Sequence, residues 1–233
     1  DCFRDTPTSG TLTLTGRNLV GTQRWCGFRP IDLVGVDAKL TPLADNGGLT
    51  ATAAIGSDSP ALGAGLNCES SPLTDQRGAP RPAICSLGAY EPTMIVTKSA
   101  TGLFKPGETV TYTLQIAPAT STVITNAVVV DSLTAPLVAV PGSVTVSAGA
   151  GQFAGNTLTW SGPADPLHPA TVTFQAQIDV QAPLSLVVNR ATAQAQGFVS
   201  TSNTVRNDTY ERQYLPGIAS EHCRDFSDTF SDA

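Results

Sequence analysis

Nowhere does the chain carry an apolar run approaching the roughly 20 residues that a membrane-spanning helix needs. Charge is scarce as well: Asp, Glu, Lys and Arg make up only 14% of the 233 residues. The 13 basic residues are outnumbered by 19 acidic ones, for a net charge of −6. That balance excludes a nucleic-acid partner, because phosphate binding needs a basic patch. The two histidines, His168 and His222, stand in loop-like contexts that suggest no Ser–His–Asp or Cys–His arrangement. No glycine-rich phosphate loop follows a strand. No cofactor is expected. There is no CxxC pair, so a zinc ribbon and a thioredoxin-type motif are both excluded. Acidic residues gather in 209–233, where Glu211, Glu221, Asp225, Asp228 and Asp232 face only Arg212 and Arg224. The spaced oxygen ligands and glycine of an EF-hand loop are absent there, so no metal site is expected.

What remains is rich in Thr, Val, Gly and Pro, with 21 Gly and 17 Pro. Low charge in that company reads as all-β, with strands separated by turns. Five cysteines are present. Cys2 and Cys26 flank one loop and Cys68 and Cys85 another, so an oxidising compartment predicts two local disulfides. Spacing alone does not determine connectivity. Cys223 is left over, expected at the surface of the acidic tail. The chain opens without Met or a signal peptide and stops without a terminating feature, which reads as a piece of a larger molecule.

The first 91 residues alternate weakly. Thr11–Thr15, Asn18–Val20 and Ile31–Val34 read as short strands, and residues 40–91 as largely irregular. Asn46-Gly47 is a turn signal, since both residues tolerate positive φ. Asp75 and Arg77 are expected to form a structural salt bridge, with Arg77 and Arg81 donating to backbone carbonyls. Pro92 marks a change of character. Beyond it, Val110–Ile116, Val172–Val180 and Val187–Ala195 alternate apolar and polar residues, with turns at Lys105-Pro106-Gly107 and Pro141-Gly142. That pattern predicts a β-sandwich over 92–208. Residues 209–233 read as an acidic linker or the start of a further module.

Two resemblances attach to these motifs. Asn46-Gly47-Gly48, Ser59-Pro60-Ala61, Gly63-Ala64-Gly65, Asp75-Gln76-Arg77-Gly78 and Gly88-Ala89-Tyr90-Glu91 follow an order similar to the end of "choice-of-anchor Q" surface proteins. The resemblance implies the last coils of a right-handed parallel β-helix, with Asn46, Asp75, Arg77 and Arg81 forming its cap. Lys98, Lys105–Tyr112, Val128–Leu133, Leu158-Thr159-Trp160 and Val188–Ala191 resemble the "conserved repeat" Ig-like domain of bacterial surface proteins, the domain of unknown function numbered eleven. Such modules serve as spacers or stalks. Together they imply a structural or adhesive piece of an extracellular or cell-surface protein, whose partners are surface glycans or other proteins. The competing readings are part of a β-helix polysaccharide-degrading enzyme, with its groove carboxylates on coils outside this piece, or a carbohydrate-binding sandwich. The latter needs exposed aromatics, yet aromatics are 6% here, and Tyr112, Phe174 and Trp160 fall on core faces.

One constellation stands apart. Alternation places Lys98 on the face of Met94 and Val96, Asp131 on that of Ala127 and Val129, and Asn189 on that of Val187 and Ala191. Three polar side chains aimed into an apolar core demand an explanation, because an unpaired buried charge is costly. The layout resembles CnaA-type pilin domains, which form an intramolecular Lys–Asn isopeptide bond. The alternative is ordinary: Lys98 snorkels out or guards an edge, Asp131 ends its strand, and Asn189 bonds backbone.

Overall fold

The computed structural model describes residues 2–3, 13–14, 16–24, 26–70, 72–183 and 185–209. These residues form strands and no helix. The strands are β1 (Cys2–Phe3), β2 (Leu19–Val20), β3 (Gln23–Arg24), β4 (Leu33–Val34), β5 (Leu40–Ala44) and β6 (Thr52–Ile55). They continue as β7 (Met94–Thr101), β8 (Thr109–Pro118), β9 (Ile124–Ser132), β10 (Leu137–Ala139), β11 (Thr145–Val146) and β12 (Ala150–Ala154). The last are β13 (Thr157–Ala164), β14 (Ala170–Ile178), β15 (Leu186–Asn189), β16 (Ala191–Ala195), β17 (Phe198–Thr201) and β18 (Val205–Asp208).

The segments with the strongest alternation make a two-sheet sandwich. One sheet runs β10-β14-β8-β7, with β11 also on β14; the other runs β12-β13-β9-β16-β17. On β8, Val110, Tyr112, Leu114 and Ile116 are fully buried, while Thr109 and Gln115 are exposed. On β14, Val172, Phe174, Ala176 and Ile178 do the same. Register sets Tyr112 opposite Phe174, and their rings stack with centroids 5.3 Å apart. Phe153 meets Phe174 edge-on at 5.6 Å. Trp160 is fully buried from β13, and its indole N–H donates to Ala148 O at 2.8 Å, which satisfies its polar end. Alternation predicts one strand over Val187–Ala195, but the structure breaks it at Arg190. β15 pairs with β18, whereas β16 joins β9 and β17 in the second sheet. Side-chain period survives such a jog, because both halves keep the same face inward.

Residues 1–91 differ from the expectation. Among the described residues no β-helix solenoid is seen. The parallel ladders, β1 on β3 and β2 on β4, are each two residues long. β5 and β6 pair antiparallel as a hairpin around Asn46-Gly47, in a stretch expected to be irregular. The turn motifs that suggested stacked coils are local signals; they do not fix which strand lies beside which. The strand expected at Thr11–Thr15 falls largely outside the described residues, as do Cys223, His222 and the tail beyond Thr209.

The N-terminal segment seats itself on one side of the sandwich, where β7 and β17 end their sheets. Bare strand edges leave backbone groups unpaired. Here side chains supply the missing partners. Asn203 acts as a strand substitute: its Oδ1 accepts from Lys98 N at 2.6 Å and its Nδ2 donates to Lys98 O at 2.8 Å. Ser57 Oγ donates to Val96 O at 2.8 Å, and Ser200 Oγ accepts from both Thr93 N and Met94 N at 3.1 Å. On β17, Val199 N donates to Asn46 O at 3.1 Å, and Gly56 bridges to Thr201. The approach at the hairpin turn is close. Gly47 has φ +89, and a Cβ there would lie 2.5 Å from Gly197 O, so only glycine fits.

The larger core cluster lies wholly within residues 94–195. We propose Pro92 as the boundary of a unit, 92–208, that folds alone. Expressed by itself, that fragment should unfold cooperatively in urea, at a lower midpoint than the full chain because its β7 and β17 edges lose partners. A fragment without a cooperative transition would overturn the boundary.

Candidate functional site

Lys98 sits on β7 and Asp131 on β9, in opposite sheets, both facing the interior. Their side chains are wholly buried, and the Lys98 ammonium pairs with Asp131 Oδ2. Register explains the placement. Lys98 lies beside Leu114 on β8, and Asp131 lies between Leu158 of β13 and Ala191 of β16. The Lys98 Nζ also lies 4.8 Å from the Tyr112 ring centroid and 5.6 Å from that of Phe174, so two aromatic faces flank the amine. Asn189 closes β15 at 3% exposure.

The three sequence-selected side chains therefore gather in one cluster, which Tyr112 joins. The Asn189 amide lies near enough to Asp131 and Tyr112 to favour their ionised forms. Neither of its polar atoms makes a well-formed hydrogen bond, however. Asp131 Oδ1 and the Tyr112 hydroxyl are unpartnered too, so four of the five buried polar side-chain atoms left without a partner among the described residues lie here. Buried polar groups are nearly always satisfied, so four orphans together call for an account. Burial pushes the Lys98 amine down to about 8 from its ordinary 10.5, against the opposing pull of Asp131. Burial likewise raises Asp131, with Lys98 pulling the other way. Each shift favours the neutral form. Sequence reading missed Tyr112 as a member, because alternation marks it only as core.

A second cluster ties the N-terminal segment down. Arg77 and Asp75 are both wholly buried, with Nη2 to Oδ2 at 2.9 Å. Arg77 donates from Nη1 to Asn46 O at 2.9 Å and Val199 O at 3.0 Å, and from Nη2 to Glu91 O. Its guanidinium lies 3.9 Å from the Tyr90 ring centroid. Arg81 donates to Ser86 O and Gly88 O and pairs with Glu91 at 3.1 Å. The Asn46 side chain holds the hairpin turn, donating to Thr52 O at 2.8 Å. Desolvation raises the Glu91 carboxyl, opposed by hydrogen bonds from Ser86 and the charge of Arg81.

Disulfides join Cys2 to Cys26 and Cys68 to Cys85. Among the described residues no group of His, Cys, Asp and Glu could hold a metal ion, and no helix is long and apolar enough to cross a membrane.

Fold and cluster together define an all-β sandwich with a sealed Lys–Asp–Asn core site. No protein-family model and no curated protein matches the chain. Solved structures do. The N-terminal domain of the Streptococcus gordonii adhesin Sgo0707 matches at 14% identity and TM-score 0.40, over 49% of this chain and 32% of that one. A variant of BcpA, the major pilin subunit of Bacillus cereus, matches at 15% and 0.41, over 50% and 40%. The collagen-binding domain of the Erysipelothrix rhusiopathiae surface protein RspB matches at 17% and 0.37, over 49% and 45%. The chain thus spans less than half the length of each. The strand pairing of residues 1–91, with parallel ladders only two residues long and an antiparallel hairpin among the described residues, corrects the "choice-of-anchor Q" resemblance. The "conserved repeat" resemblance is likewise matched by no family model.

Proposed function

We propose that this chain is a structural or adhesive piece of an extracellular, cell-surface protein, and that its sandwich is a spacer clamped by an amide between Lys98 and Asn189. The observation that carries the reading is the sealed cluster. Lys98 and Asp131 have no solvent access. Chemistry there is closed to an outside substrate and is open only to the chain itself, which argues against an enzyme. The two disulfides support an oxidising, extracellular setting.

The step balances within the cluster. The neutral Lys98 amine attacks Asn189 Cγ, while the protonated Asp131 carboxyl donates a hydrogen bond to Asn189 Oδ1 and polarises the carbonyl. Asp131 then relays the proton lost by the amine to the amide nitrogen. The Cγ–Nδ2 bond breaks, an amide forms, and ammonia leaves. Two of the four orphaned atoms belong to the amide that would be consumed. A covalent tie between β7 and β15 would bypass the chain between them under tension, which suits a stalk.

Intact-mass measurement of the reduced protein tests this. The native chain is expected to be lighter than its sequence mass by one ammonia, and Lys98→Ala or Asp131→Ala should restore the full mass. A native chain at full sequence mass would rule the bond out.

A further inference from the structure

A groove of about 520 Å³ opens where the N-terminal segment meets the sandwich. Neither part forms it alone. The segment contributes Asp37, Lys39 and Asp58; the sandwich contributes Arg190, Thr204 and Arg206. Its floor includes Gly56, where the segment's backbone bridges to β17 and a Cβ would lie 3.1 Å from Ser202 O.

The charge there departs from that of the rest of the molecule. The chain carries −6 overall. Yet among the basic side chains described, the exposed ones are Lys39, Arg190 and Arg206, and all three line this groove. Arg17, Arg29, Arg81 and Lys105 are half-buried, while Arg77 and Lys98 are buried. The Arg206 side chain makes no hydrogen bond or ion pair among the described residues. Arg190 spends its donors on a neutral group, Thr204 Oγ1, at 3.0 and 2.7 Å.

Lys39 adds an independent sign. It holds φ +52, a left-handed conformation uncommon for a side-chain-bearing residue. Asp37 Oδ1 accepts from its backbone N–H at 2.8 Å, and Asp58 Oδ2 accepts from its Nζ at 2.8 Å. Backbone held out of the common regions, here by the Asp37 carboxylate, concentrates at functional sites.

We propose that this groove binds an acidic saccharide, one bearing a uronate- or sialate-type carboxylate. The free guanidinium of Arg206, with Arg190 beside Thr204, suits a planar carboxylate bidentately. Asp37, Asp58 and the Thr204 hydroxyl suit the ring hydroxyls, which are donors that an acidic peptide side chain does not bring. Leu40, 60% exposed at the same groove, offers an apolar face to a sugar ring. The proposal rests on the surface reading above, since such saccharides are met outside the cell, but not on the Lys98–Asn189 bond.

Isothermal calorimetry of the full chain tests it, with trigalacturonate and sialyllactose as probes, maltotriose and lactose as neutral controls, and sodium sulfate as a bare anion. At least one acidic sugar is expected to bind and to weaken as salt rises. Arg206→Ala and Arg190→Ala, both at exposed positions, should each weaken it about tenfold or more, as the loss of a charge-assisted hydrogen bond does. Absence of binding by both acidic sugars at millimolar concentration overturns the proposal. So does equal binding of their neutral controls, or unchanged affinity in both Arg variants. Sulfate binding as tightly as the sugar would reduce the groove to an anion patch and overturn the saccharide assignment. Native protein at full sequence mass that still binds the acidic sugar would sink the cross-link and leave this site standing.

Discussion

Arg77→Ala is expected to lower the stability of the full chain by roughly 3–5 kcal/mol, the usual penalty for removing one partner of a buried ion pair. The reason lies in what the guanidinium holds. Its loss strands the Asp75 carboxylate at zero side-chain exposure. It also removes a donor from the carbonyls of Asn46, Val199 and Glu91, which lie on three separate stretches of chain. Asp75 keeps its backbone donors Arg77 N, Ala79 N and Glu91 N, so the loop itself should persist. What fails is the attachment to β17. Arg77→Lys keeps the charge but cannot fork to several acceptors, and should recover only a minor part of the loss. Urea denaturation followed by tryptophan fluorescence and circular dichroism measures both. A loss under about 1 kcal/mol for Arg77→Ala, the worth of an exposed pair, would show that the network does not hold the segment to the sandwich.

Asp131→Ala, in which the Lys98–Asn189 amide does not form, should cost at least as much, with roughly 3–5 kcal/mol from the stranded amine alone. The Lys98 amine then faces the Tyr112 and Phe174 rings with no counter-charge beside it. Burial already pushes that amine down to about 8. Without Asp131 the opposing pull disappears and the amine moves further toward neutrality, so the variant folds by giving up a proton. The double variant Lys98→Met, Asp131→Leu also lacks the amide but removes both desolvation penalties, so it should recover the part of the loss that the stranded amine causes, as apolar replacement of a buried pair often does. If Asp131→Ala and the double variant are equally unstable, desolvation of Lys98 is not the cause.

The cluster's parts were visible at different depths. Period two alone predicts an inward face for Lys98, Asp131 and Asn189, because each shares its parity with Val96, Val129 and Val187. Alternation does not carry the facing of β7 and β9 across the sheets, which brings a first-sheet lysine onto a second-sheet aspartate. The jog at Arg190 was also invisible, since β15 and β16 read as one strand whose partners only long-range pairing separates. The β5–β6 hairpin carried its Asn46-Gly47 signal, yet Pro42 and the exposed apolar residues Leu40 and Leu43 hid its strand character.

The sequence by itself determined the all-β class and the sandwich pattern beyond Pro92, because each depends on alternation and turn residues along the chain. Tertiary structure alone decided how residues 1–91 pair, where glycine-rich turns fit several all-β arrangements equally well. It also decided what covers β7 and β17, and which charges meet in the groove between Lys39 and Arg206. Those outcomes join residues that are far apart in the chain, and chain order carries no record of such distances until the two sheets close on each other.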